Sequence, residues 1–489
     1  MTATADVGVI SYGVHLPAWR LNRKEIGRAL GSGGGKGTRA VASFDEDTTS
    51  MGVEAARRAL AGAPAEPRTL VFATAHPAYA DKTNATTVHA ALGLDRSVPA
   101  YDFAGAARSG VGALLAAADS AAAGRPALAV LSDIRTGLPG SAEERDGGDA
   151  AAAVQFGSGD DVVAALIGRG SASAEFLERW RIPGDSSSRI WEERFAEGSY
   201  KELAHDAVEA ALKDAGLTLA EVDKVAVGGL HLRAVRAVAR TLGRGATVVD
   251  DLAFAIGATG TAQPGVLLAA ALDEAAAGET VLLVALGDGA DALVFRTTEA
   301  LPALRERRTG PSVARQAVAG WEVTYQKFLT WRGLLKREAP RRPDPDRPAG
   351  PPAYRNADWK FGLAGSRCTE CDTRHLPAAR VCINCKAVDR MVGDRVAEVP
   401  AVIATFQADL LAYTLNPPLI AAALNFEGGG RFIAEVTDAD PAALKIGDAV
   451  EMTFRRLYST ADGVHNYFWK ARPVQAADRA ATAQTDEEN

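Results

Sequence analysis

Short apolar runs alternate through the first 300 positions with longer segments in which apolar residues recur at helical spacing. The runs predict buried strands and the periodic segments predict helices. We expect strands over 7–12, 69–73, 127–132, 148–156, 222–227, 246–249 and 280–286. We expect helices over 24–30, 49–61, 85–92, about 105–123, 200–215, 233–242 and 262–277. This alternation indicates an α/β fold with a largely parallel sheet between helices, and the strand–helix order occurs twice, which predicts a duplicated core.

The pattern changes after position 318. Apolar residues at roughly helical spacing form one face of a predicted helix, either in an ordinary core or, as we prefer, packed on the α/β region of this or a neighbouring chain: Trp321, Tyr325, Phe328, Leu329, Trp331 and Leu335. Glu338–Pro352 contains six prolines in fifteen residues, which predicts an extended strap rather than regular helix or strand. Apolar runs over 401–406, 419–425, 430–437 and 449–457 predict strands of a small barrel.

Length and composition narrow the class of protein. A chain of 489 residues is too long for one core, and 47% apolar with 24% charged residues is typical of a soluble globular protein. The net charge of −7 argues against nucleic acid as the partner. Because neither a membrane-spanning apolar run nor a secretory signal is evident, we expect a cytoplasmic protein without a membrane partner.

Four cysteines form a candidate metal site. Cys368, Cys371, Cys382 and Cys385 are the only cysteines of the chain and form two C-x2-C pairs separated by ten residues. Four thiolates at this spacing predict a closed, structural Zn2+ site, whereas the alternative, two disulfides, is disfavoured in a reducing cytosol. No cysteine remains elsewhere to act as a nucleophile.

Residues 1 to about 300 resemble the 3-hydroxy-3-methylglutaryl-CoA synthase branch of the thiolase superfamily. The resemblance rests on short motifs: SYGVHLP at 11–17, FDEDT at 44–48, YADKTNAT at 79–86, GDAAA at 148–152 and GDGA at 287–290. It implies a thiolase-like duplicated αβαβα core, a coenzyme A thioester as substrate, and at least a homodimer.

Residues from about 318 to 475 resemble the DUF35 family. The matching stretches are FLTWRG at 328–333, PRRPDP at 340–345, the two cysteine pairs and YFWKARP at 467–473. This second resemblance implies a helical arm, a rubredoxin-like zinc ribbon and an OB-fold β-barrel. Together the two predict these domains: thiolase-like halves at 1–165 and 166–305, arm and linker at 306–356, ribbon at 357–392, OB-fold at 393–475 and a disordered tail at 476–489.

The chain departs from the synthase pattern at the reacting groups. The resemblance implies a nucleophilic Cys at the start of the central helix, yet 105–109 contains none. By counting from the motifs, the Glu, His and Asn positions fall on Ala75, Gly228 and Ala258, although His231 lies close by. A thiolate is the soft nucleophile that acyl transfer uses near neutral pH. Without it, the family's condensation through an acyl-cysteine is disfavoured.

An aldol or retro-aldol step on an acyl-CoA needs only a proton-transfer group and donors for an enolate oxygen. The superfamily includes steroid side-chain aldolases that lack the Cys and work with a DUF35 partner, which this chain resembles. The polar residues expected near the site are His76, Tyr79, Lys82, Tyr101, Asp102, Arg108, Ser109 and His231. Amides of Gly105–Ser109 at a helix N-terminus could hold the oxyanion, and Arg108, Lys82, Gly105 and Gly228 are candidates for substrate binding.

Each catalytic candidate has a structural alternative. His76 precedes a proline and also fits a surface or subunit contact, while Tyr79 may serve only loop geometry in its motif. Ser109 could replace the nucleophile, but a helix cap is its commoner use. Arg108 could bind a substrate carboxylate or a neighbouring subunit. His231, next to the lost His position, is the strongest candidate.

The barrel sequence carries a cluster of basic and aromatic residues: Arg455, Arg456, Tyr458, His465, Tyr467, Phe468, Trp469, Lys470 and Arg472. OB barrels can bind single-stranded nucleic acid through such residues. In the DUF35 context we prefer the phosphates and adenine of CoA, or the interface with the thiolase-like region.

The sequence thus favours an enzyme that acts on a carbon–carbon bond of an acyl-CoA or acyl-carrier-bound substrate, by an aldol or retro-aldol reaction. One rival is an acyltransferase or condensing enzyme that uses Ser109 or an external thiol. The other is a non-catalytic scaffold that binds acyl-CoA and supports a partner thiolase.

Overall fold

A computed structural model describes residues 7–474 except 309, 339, 342 and 344. The tail predicted at 476–489 lies outside the described residues. The chain divides into two compact units, one made of residues up to 43, 51–86 and 95–332, the other of 44–50, 87–94 and the residues from 333 onward. We call them the α/β unit and the barrel unit. These units are defined by compactness alone, so they do not test the predicted domain limits. Those limits stay predictions.

The α/β unit holds the elements up to residue 332. Its strands are β1 Val7–His15, β2 Trp19–Asn22, β3 Thr38–Val41, β4 Thr69–Thr74, β5 Ala100–Ala104, β6 Ala127–Asp133, β7 Ala150–Ser158, β8 Ala164–Ser173, β9 Arg179–Trp180, β10 Arg189–Ile190, β11 Lys224–Gly229, β12 Thr247–Val248, β13 Thr280–Leu286, β14 Gly289–Thr297 and β15 Trp321–Glu322. Its helices are α1 Arg23–Leu30, α2 Thr48–Leu60, α3 Ala85–Leu92, α4 Ser109–Ala122, α5 Ala142–Asp146, α6 Glu193–Ala215, α7 Leu232–Leu242, α8 Gln263–Glu274, α9 Ala300–Arg307, α10 Val313–Val318 and α11 Tyr325–Trp331. The unit boundary falls within α2 and α3.

The main sheet repeats one topology twice. Its ten strands have the order β12-β11-β13-β14-β8-β1-β7-β6-β4-β5. In one half β1 and β6 flank β7 in antiparallel pairs, and β4 lies parallel to β5 and β6. In the other half β8, β14, β13, β11 and β12 repeat this arrangement. The duplication expected from the sequence is therefore present in the strand order.

The prediction of a largely parallel sheet was wrong. The strands that lie between the two parallel sets form antiparallel pairs. β7 pairs with β6, the strand before it, and β14 pairs in the same way with β13. Direct returns need no crossover helix, so they leave no helical signal in the sequence between the strands. The strands β8 and β14 were not among those that the apolar runs predicted.

Helices α4 and α8 lie at the centre of the duplicated fold and are rich in small residues. Gly110 of α4 packs so closely that a Cβ there would lie 2.2 Å from the carbonyl oxygen of Thr261, just before α8. Gly265 of α8 approaches the side chains of Leu131 and Ala152 to 2.7–2.8 Å on the same measure. Close approach of these helices to each other and to the sheet thus depends on glycine.

The predicted apolar helix packs on the α/β unit of its own chain. α11 covers only Tyr325–Trp331, and its buried face consists of Tyr325, Phe328 and Trp331. The Tyr325 hydroxyl donates to Glu144 over 3.0 Å, and the Trp331 ring lies edge-on to Trp19 at 5.4 Å. Trp321 lies in β15 rather than in this helix and, like Leu335, is exposed, so the buried face is shorter than the sequence pattern predicted.

The barrel unit contains helices α12 Gly350–Arg355 and α13 Ala357–Lys360 and strands β16 Ala364–Cys368, β17 Arg374–His375, β18 Met391–Arg395, β19 Ala401–Asp409, β20 Leu419–Phe426, β21 Arg431–Val436, β22 Ala449–Ser459 and β23 His465–Pro473. β17, β16 and β18 form a small sheet, and β19 to β23 close into a barrel of order β19-β20-β21-β23-β22. The fifth strand, β23, was not expected as a strand.

The prediction that 338–352 excludes regular structure was wrong at its end. Gly350, Pro351 and Pro352 form the first turn of α12, where proline is tolerated because the first amides of a helix have no intrahelical acceptor.

Among the described helices, none combines the length and apolar character that crossing a membrane requires.

The basic and aromatic residues of β22 and β23 are largely internal to the barrel unit. Arg455 is fully buried and contacts Asp45, Glu46 and Asp438, while Lys470 contacts Asp45 and Glu435. The segment 44–50, which belongs to this unit, supplies Asp45 and Glu46.

Two aromatic side chains of β23 are likewise engaged. Tyr467 donates to Asp47 over 2.6 Å, and the Trp469 indole donates to the carbonyl of Phe361 over 2.7 Å. Contacts within the unit use the polar groups of Arg455, Tyr467, Trp469 and Lys470, so these four side chains have protein partners where the sequence suggested CoA or an interface with the thiolase-like region.

Candidate functional site

Two cavities of the α/β unit meet at Ala107, just before helix α4. One, of about 90 Å³, lies between Ala75, Gly105–Ala107 and Leu286–Asp288. The other, of about 20 Å³, lies between Ala107, Gly228, Gly260 and Gln263. Strands β5, β11 and β13 all end here, where loops and helix starts of an α/β sheet assemble binding sites. We call the two together the Ala107 cavity.

Three positions that the sequence marked as departures line this region. Ala75 and Gly228 line the Ala107 cavity, and Ala258 lines a larger cavity that adjoins it. A Cβ at Gly228 would lie 2.9 Å from the side chain of Leu267, so a larger residue there would have to displace its neighbours. All three positions therefore hold small residues, and residues at other positions supply the polar groups of the site.

His76 is held by a buried carboxylate. Its Nδ1 lies 2.9 Å from Oδ1 of Asp133, and the other carboxylate oxygen accepts from the amide of Thr261 over 3.0 Å. Burial opposes ionisation of Asp133, but the hydrogen bond from His76 and the charge of Arg135 outweigh it and keep the pKa of this carboxyl below its ordinary value. Because an ionised carboxylate only accepts, Nδ1 carries the proton and Nε2 is the acceptor nitrogen.

Arg181 connects His76 to the Ala107 cavity. Its guanidinium contacts Nε2 of His76 and the carbonyl oxygen of Ala75, and its side chain lines the cavity. Burial lowers the pKa of His76, and the nearby Arg135 and Arg181 add to this shift while Asp133 opposes it. The ring is therefore a neutral base at neutral pH rather than the surface contact that the sequence allowed.

His231 lies in the adjoining cavity, whose volume is about 310 Å³. It is 6% exposed and forms the N-cap of α7, where its Nδ1 accepts from the amide of Ala234 over 3.1 Å. In the neutral ring the proton is therefore on Nε2, which makes that nitrogen a donor. His76 and His231 thus have opposite tautomers.

Tyr200 lines the Ala107 cavity next to His231. It is 3% exposed, its ring lies 5.8 Å from that of His231, and its hydroxyl lies 3.3 Å from Oε2 of Glu178. Burial, followed by the charge of Glu178, raises the pKa of Tyr200 well above its ordinary value. The hydroxyl therefore keeps its proton, which it donates to Glu178.

Arginines from two segments surround this site. Arg135 contacts Asp133 and Glu143, and Arg179 lies 3.4 Å from the same Glu143. Arg179 and Arg181 flank Trp180 on the hairpin β9–β10, and all three line the Ala107 cavity. The hairpin thus places cationic groups beside the Ala107 cavity.

Arg108 binds a carboxylate of its own chain. Its Nε and Nη2 donate to Asp291 over 2.8 and 3.1 Å, and Nη1 donates to Ser173 and to the carbonyl of Asp288. These hydrogen bonds raise the pKa of the guanidinium. They give the guanidinium fixed partners within the chain, and since Arg108 also lines the Ala107 cavity, substrate binding by this residue stays a prediction.

Ser109 is not the helix cap that the sequence favoured. Arg108 occupies the N-cap position, Ser109 is the first helical residue, and its amide donates to the carbonyl of Ala106. The amide of Gly105 likewise donates to Thr74, so these two amides of the predicted oxyanion segment are already engaged. Ser109 does not appear among the residues that line the Ala107 cavity.

Tyr79 and Lys82 belong to a surface loop ordered by Asn84. The Asn84 side chain accepts from the amide of Tyr79 and donates to the carbonyl of Lys82, each over 3.0 Å. Asp102 accepts from the amides of Asn84 and Ala85. Lys82 and Tyr101 are exposed, and none of these residues lines the cavities described above.

Sequence reasoning missed several residues that form this site: Ala107, Asp133, Arg135, Glu143, Glu178, Arg179, Arg181 and Tyr200. Two signals were available. Asp133 directly follows a predicted buried strand, a usual place for functional side chains, and residues 179–181 read Arg-Trp-Arg. Nothing in the sequence connected Asp133 to His76, because 57 positions separate them.

The four cysteines of the barrel unit lie together as the spacing predicted. Their sulfur atoms all lie within 4.8 Å of one another, with Cys368–Cys385 and Cys371–Cys382 at 3.6 and 3.5 Å. A tetrahedral Zn2+ with bonds of about 2.3 Å requires sulfur separations of about 3.8 Å. The geometry and the set of four sulfur donors fit zinc.

A comparison with models of protein families finds no match. Among curated proteins, the chain is 30% identical over 299 residues to the hydroxymethylglutaryl-CoA synthase of Pyrococcus horikoshii, an alignment that covers 59% of this chain and 85% of that one. The corresponding protein of Pyrococcus furiosus is 30% identical over 304 residues, covering 60% and 87%. That of Methanopyrus kandleri is 28% identical over 352 residues, covering 69% and 100%.

Solved structures show the same type of fold. An MvaS in complex with 3-hydroxy-3-methylglutaryl coenzyme A superposes with a TM-score of 0.57 at 20% identity, covering 70% of this chain and 95% of that one. The HMG synthase of the curacin biosynthetic pathway, in complex with acetyl donor-ACP, gives 0.58 at 16% identity, covering 67% and 88%. The 3-oxoacyl-(acyl carrier protein) synthase III, FabH, of Pseudomonas aeruginosa gives 0.54 at 23%, covering 60% and 98%.

Proposed function

The chain belongs to the hydroxymethylglutaryl-CoA synthase family, and from that membership we propose that it forms or cleaves a carbon–carbon bond of an acyl thioester by aldol-type chemistry. The observation that carries the proposal is the composition of the site. Ala107 stands where two cavities meet beside the start of α4, no cysteine lies outside 368–385, and two histidines of opposite tautomer flank the cavities.

In the cleavage direction, a 3-hydroxyacyl thioester loses its hydroxyl proton to Nε2 of His76 as the C2–C3 bond breaks. C3 becomes the carbonyl carbon of one product, and the electron pair of the broken bond moves to the thioester oxygen as an enolate. The Nε2–H of His231 donates to that oxygen and stabilises it. The proton returns to C2, so the products are a carbonyl compound and a shortened acyl thioester. Formation of the bond is the reverse.

The acyltransferase rival needs a nucleophile in the cavity. Ser109 lies in the first turn of α4, and the hydrogen bonds described for the site provide it with no base, whereas a serine nucleophile needs one. An external thiol could still deliver the acyl group. In the scaffold alternative, the chain binds the thioester in the cavity but catalyses no reaction. The acyltransferase and scaffold rivals both predict that the chain binds acyl thioesters, as our proposal does. They differ from our proposal in the reaction that follows binding.

The substrate arrives as a thioester of coenzyme A or of an acyl carrier. Relatives of this fold have been solved with CoA and with an acyl carrier protein, which supports both carriers for this chain. We place the enzyme in the cytoplasm and expect at least a homodimer, without a nucleic acid or membrane partner.

We assign the cysteine cluster and the barrel to a DUF35 module, with an OB-fold barrel and a Zn2+ held by Cys368, Cys371, Cys382 and Cys385. Four thiolates saturate the ion, so its role is to stabilise the ribbon. Native mass spectrometry is expected to show one zinc per chain, lost in Cys371→Ser. If the amides of β16–β18 stayed fully protected from hydrogen exchange after zinc removal, this role would be contradicted.

Intact mass spectrometry after exposure to acetyl-CoA and acetoacetyl-CoA tests the proposal. We expect a thioester complex under native conditions and an unmodified chain after denaturation. In Ala107→Cys, a thiol would face the cavity, and we expect an acyl increment that survives denaturation. Ser109→Cys is the matched control and should remain unmodified. An acyl increment on the wild-type chain would instead support acyl transfer.

A further inference from the structure

Gln263, the first residue of helix α8, has a buried side-chain amide without a hydrogen-bond partner in the described part of the chain. The residue is 2% exposed, and neither Oε1 nor Nε2 of its side chain is paired there. The amide has two donor hydrogens and one acceptor oxygen, and leaving such groups unsatisfied in the interior costs folding free energy. A partner that arrives from outside the chain explains a polar group in this state.

The side chain of Gln263 lines the smaller part of the Ala107 cavity. This part has a volume of about 20 Å³, whereas one water-sized group needs roughly 10–15 Å³. It therefore admits a single oxygen atom rather than a carbon chain. Among the described residues that line it, only Gln263 and Arg108 have polar side chains, and Arg108 already donates to Asp291.

Gly228, at the end of strand β11, leaves room for the Gln263 side chain. A Cβ at Gly228 would lie 3.2 Å from Cγ and 3.5 Å from Cδ of Gln263. A longer side chain at position 228 would therefore compete with the amide for the same space. The cavity also lies at the start of α8, where the helix dipole favours negative charge.

We infer that Gln263 is a further catalytic residue, whose Nε2 donates a hydrogen bond to the thioester oxygen in the smaller part of the Ala107 cavity. The inference rests on the proposed function, which places the thioester beside Ala107. Negative charge grows on this oxygen as the enolate forms, so a fixed donor stabilises the transition state more than the bound ester. The amide transfers no proton, and it adds to the donor that we propose from His231.

Infrared difference spectra of the full chain with acetyl-CoA, unlabelled and ¹³C-labelled at the thioester carbonyl, test the contact directly. A hydrogen bond to the carbonyl oxygen weakens the C=O bond and lowers its stretching frequency. In Gln263→Leu, which removes the donor and keeps most of the side-chain volume, we expect the frequency of the bound ester to rise. Exchange of its α-protons in D2O should slow by about 10²-fold, as for loss of one oxyanion donor, while the affinity for the ester stays about the same.

Gln155→Leu is the matched control, because Gln155 is also buried but its Nε2 donates to the carbonyl of Ala65 over 2.6 Å. This variant should have a lower Tm and an unchanged carbonyl frequency and exchange rate. Without ester, Gln263→Leu should keep or raise the Tm, because it removes an unpaired amide.

An unchanged carbonyl frequency in Gln263→Leu would overturn the inference and leave the proposed function standing. A raised frequency, combined with a wild type that exchanges no α-proton of any acyl-CoA, would confirm the contact and contradict the proposed function. A wild type that binds no acyl-CoA would overturn both.

Discussion

At the scale of single residues, the partner of each histidine decides its role. The carboxylate of Asp133 fixes the proton of His76 on Nδ1, whereas the amide of Ala234 fixes that of His231 on Nε2. Toward the site, one ring therefore offers an acceptor nitrogen and the other a donor, although both are histidines of the same unit. An aldol reaction needs one of each.

Asp133→Asn tests the role of the carboxylate. Exchange of α-protons of a bound acyl-CoA should slow by about 10²-fold or more, because the base loses its orientation. Asp133 raises the pKa of His76, so its removal should also shift the acid limb of the pH–rate profile to lower pH. The rates are followed by NMR in D2O across pH 4–8. Asp119→Asn, at an exposed pair with Arg169, is the control, and an unmoved acid limb would contradict the assignment.

The sequence predicted part of this site. It named His76 and His231 and placed the site near Gly105–Ser109, because the resemblance to the synthase family pointed to these positions. It favoured His231 over His76 without access to Asp133, whose proximity to His76 follows from folding. For the same reason it could not show that Asp291, 183 positions away, lies beside Arg108.

At the scale of elements, helix α11 is a short segment held by a few large side chains. Phe328 is fully buried, and the guanidinium of Arg39 lies 4.9 Å from its ring. Trp331 and Tyr325 add contacts with Trp19 and Glu144. A helix of this length has little stability of its own, so tertiary packing holds it.

Phe328→Ala should lower the free energy of unfolding of the α/β unit by about 3–5 kcal/mol, because it leaves a cavity in a packed region. Leu335→Ala, at a side chain that is 42% exposed, should change it by less than about 0.5 kcal/mol. Thermal and denaturant unfolding measure both variants. Equal effects of the two substitutions would show that the helix does not pack as described.

Most helices of the α/β unit, and its parallel strands except β5, could be predicted because their apolar patterns are strong. The hairpin β9–β10 could not, since each of its strands has two residues and carries no alternation. The antiparallel strands β8 and β14 were missed as well. These omissions matter, because the hairpin supplies Arg179 and Arg181.

At the scale of the whole molecule, a segment distant in sequence completes the barrel unit. Residues 44–50 bring Asp45, Glu46 and Asp47 to the strands β22 and β23. Burial opposes ionisation of Asp45, but Lys470 and Arg455 outweigh it and hold its pKa well below the ordinary value. The sequence predicted ligand-binding residues on these strands because it could not show that their partners lie some 400 positions earlier.

Arg455→Met should destabilise the barrel unit by about 3–5 kcal/mol, because several buried carboxylates lose their counter-ion. Hydrogen exchange of β22 and β23 measures the loss, with exposed Arg431→Met as the control. Since the folded pKa of Asp45 is depressed, its stabilising contribution is present above the unfolded pKa of about 3.9 and fades as pH falls below it. An Asp45→Asn deficit that grows on acidification would contradict this account.

The central claim is that the Ala107 cavity performs enolate chemistry on a thioester without a covalent intermediate. Incubation of the full chain with a panel of acyl-CoA esters in D2O, read by NMR of the thioester, tests it most directly. We predict deuterium at the α-carbon of at least one ester, catalysed by an enzyme whose denatured mass is unchanged. Esters that bind but exchange no α-proton would contradict the claim and identify the chain as an acyl-thioester scaffold.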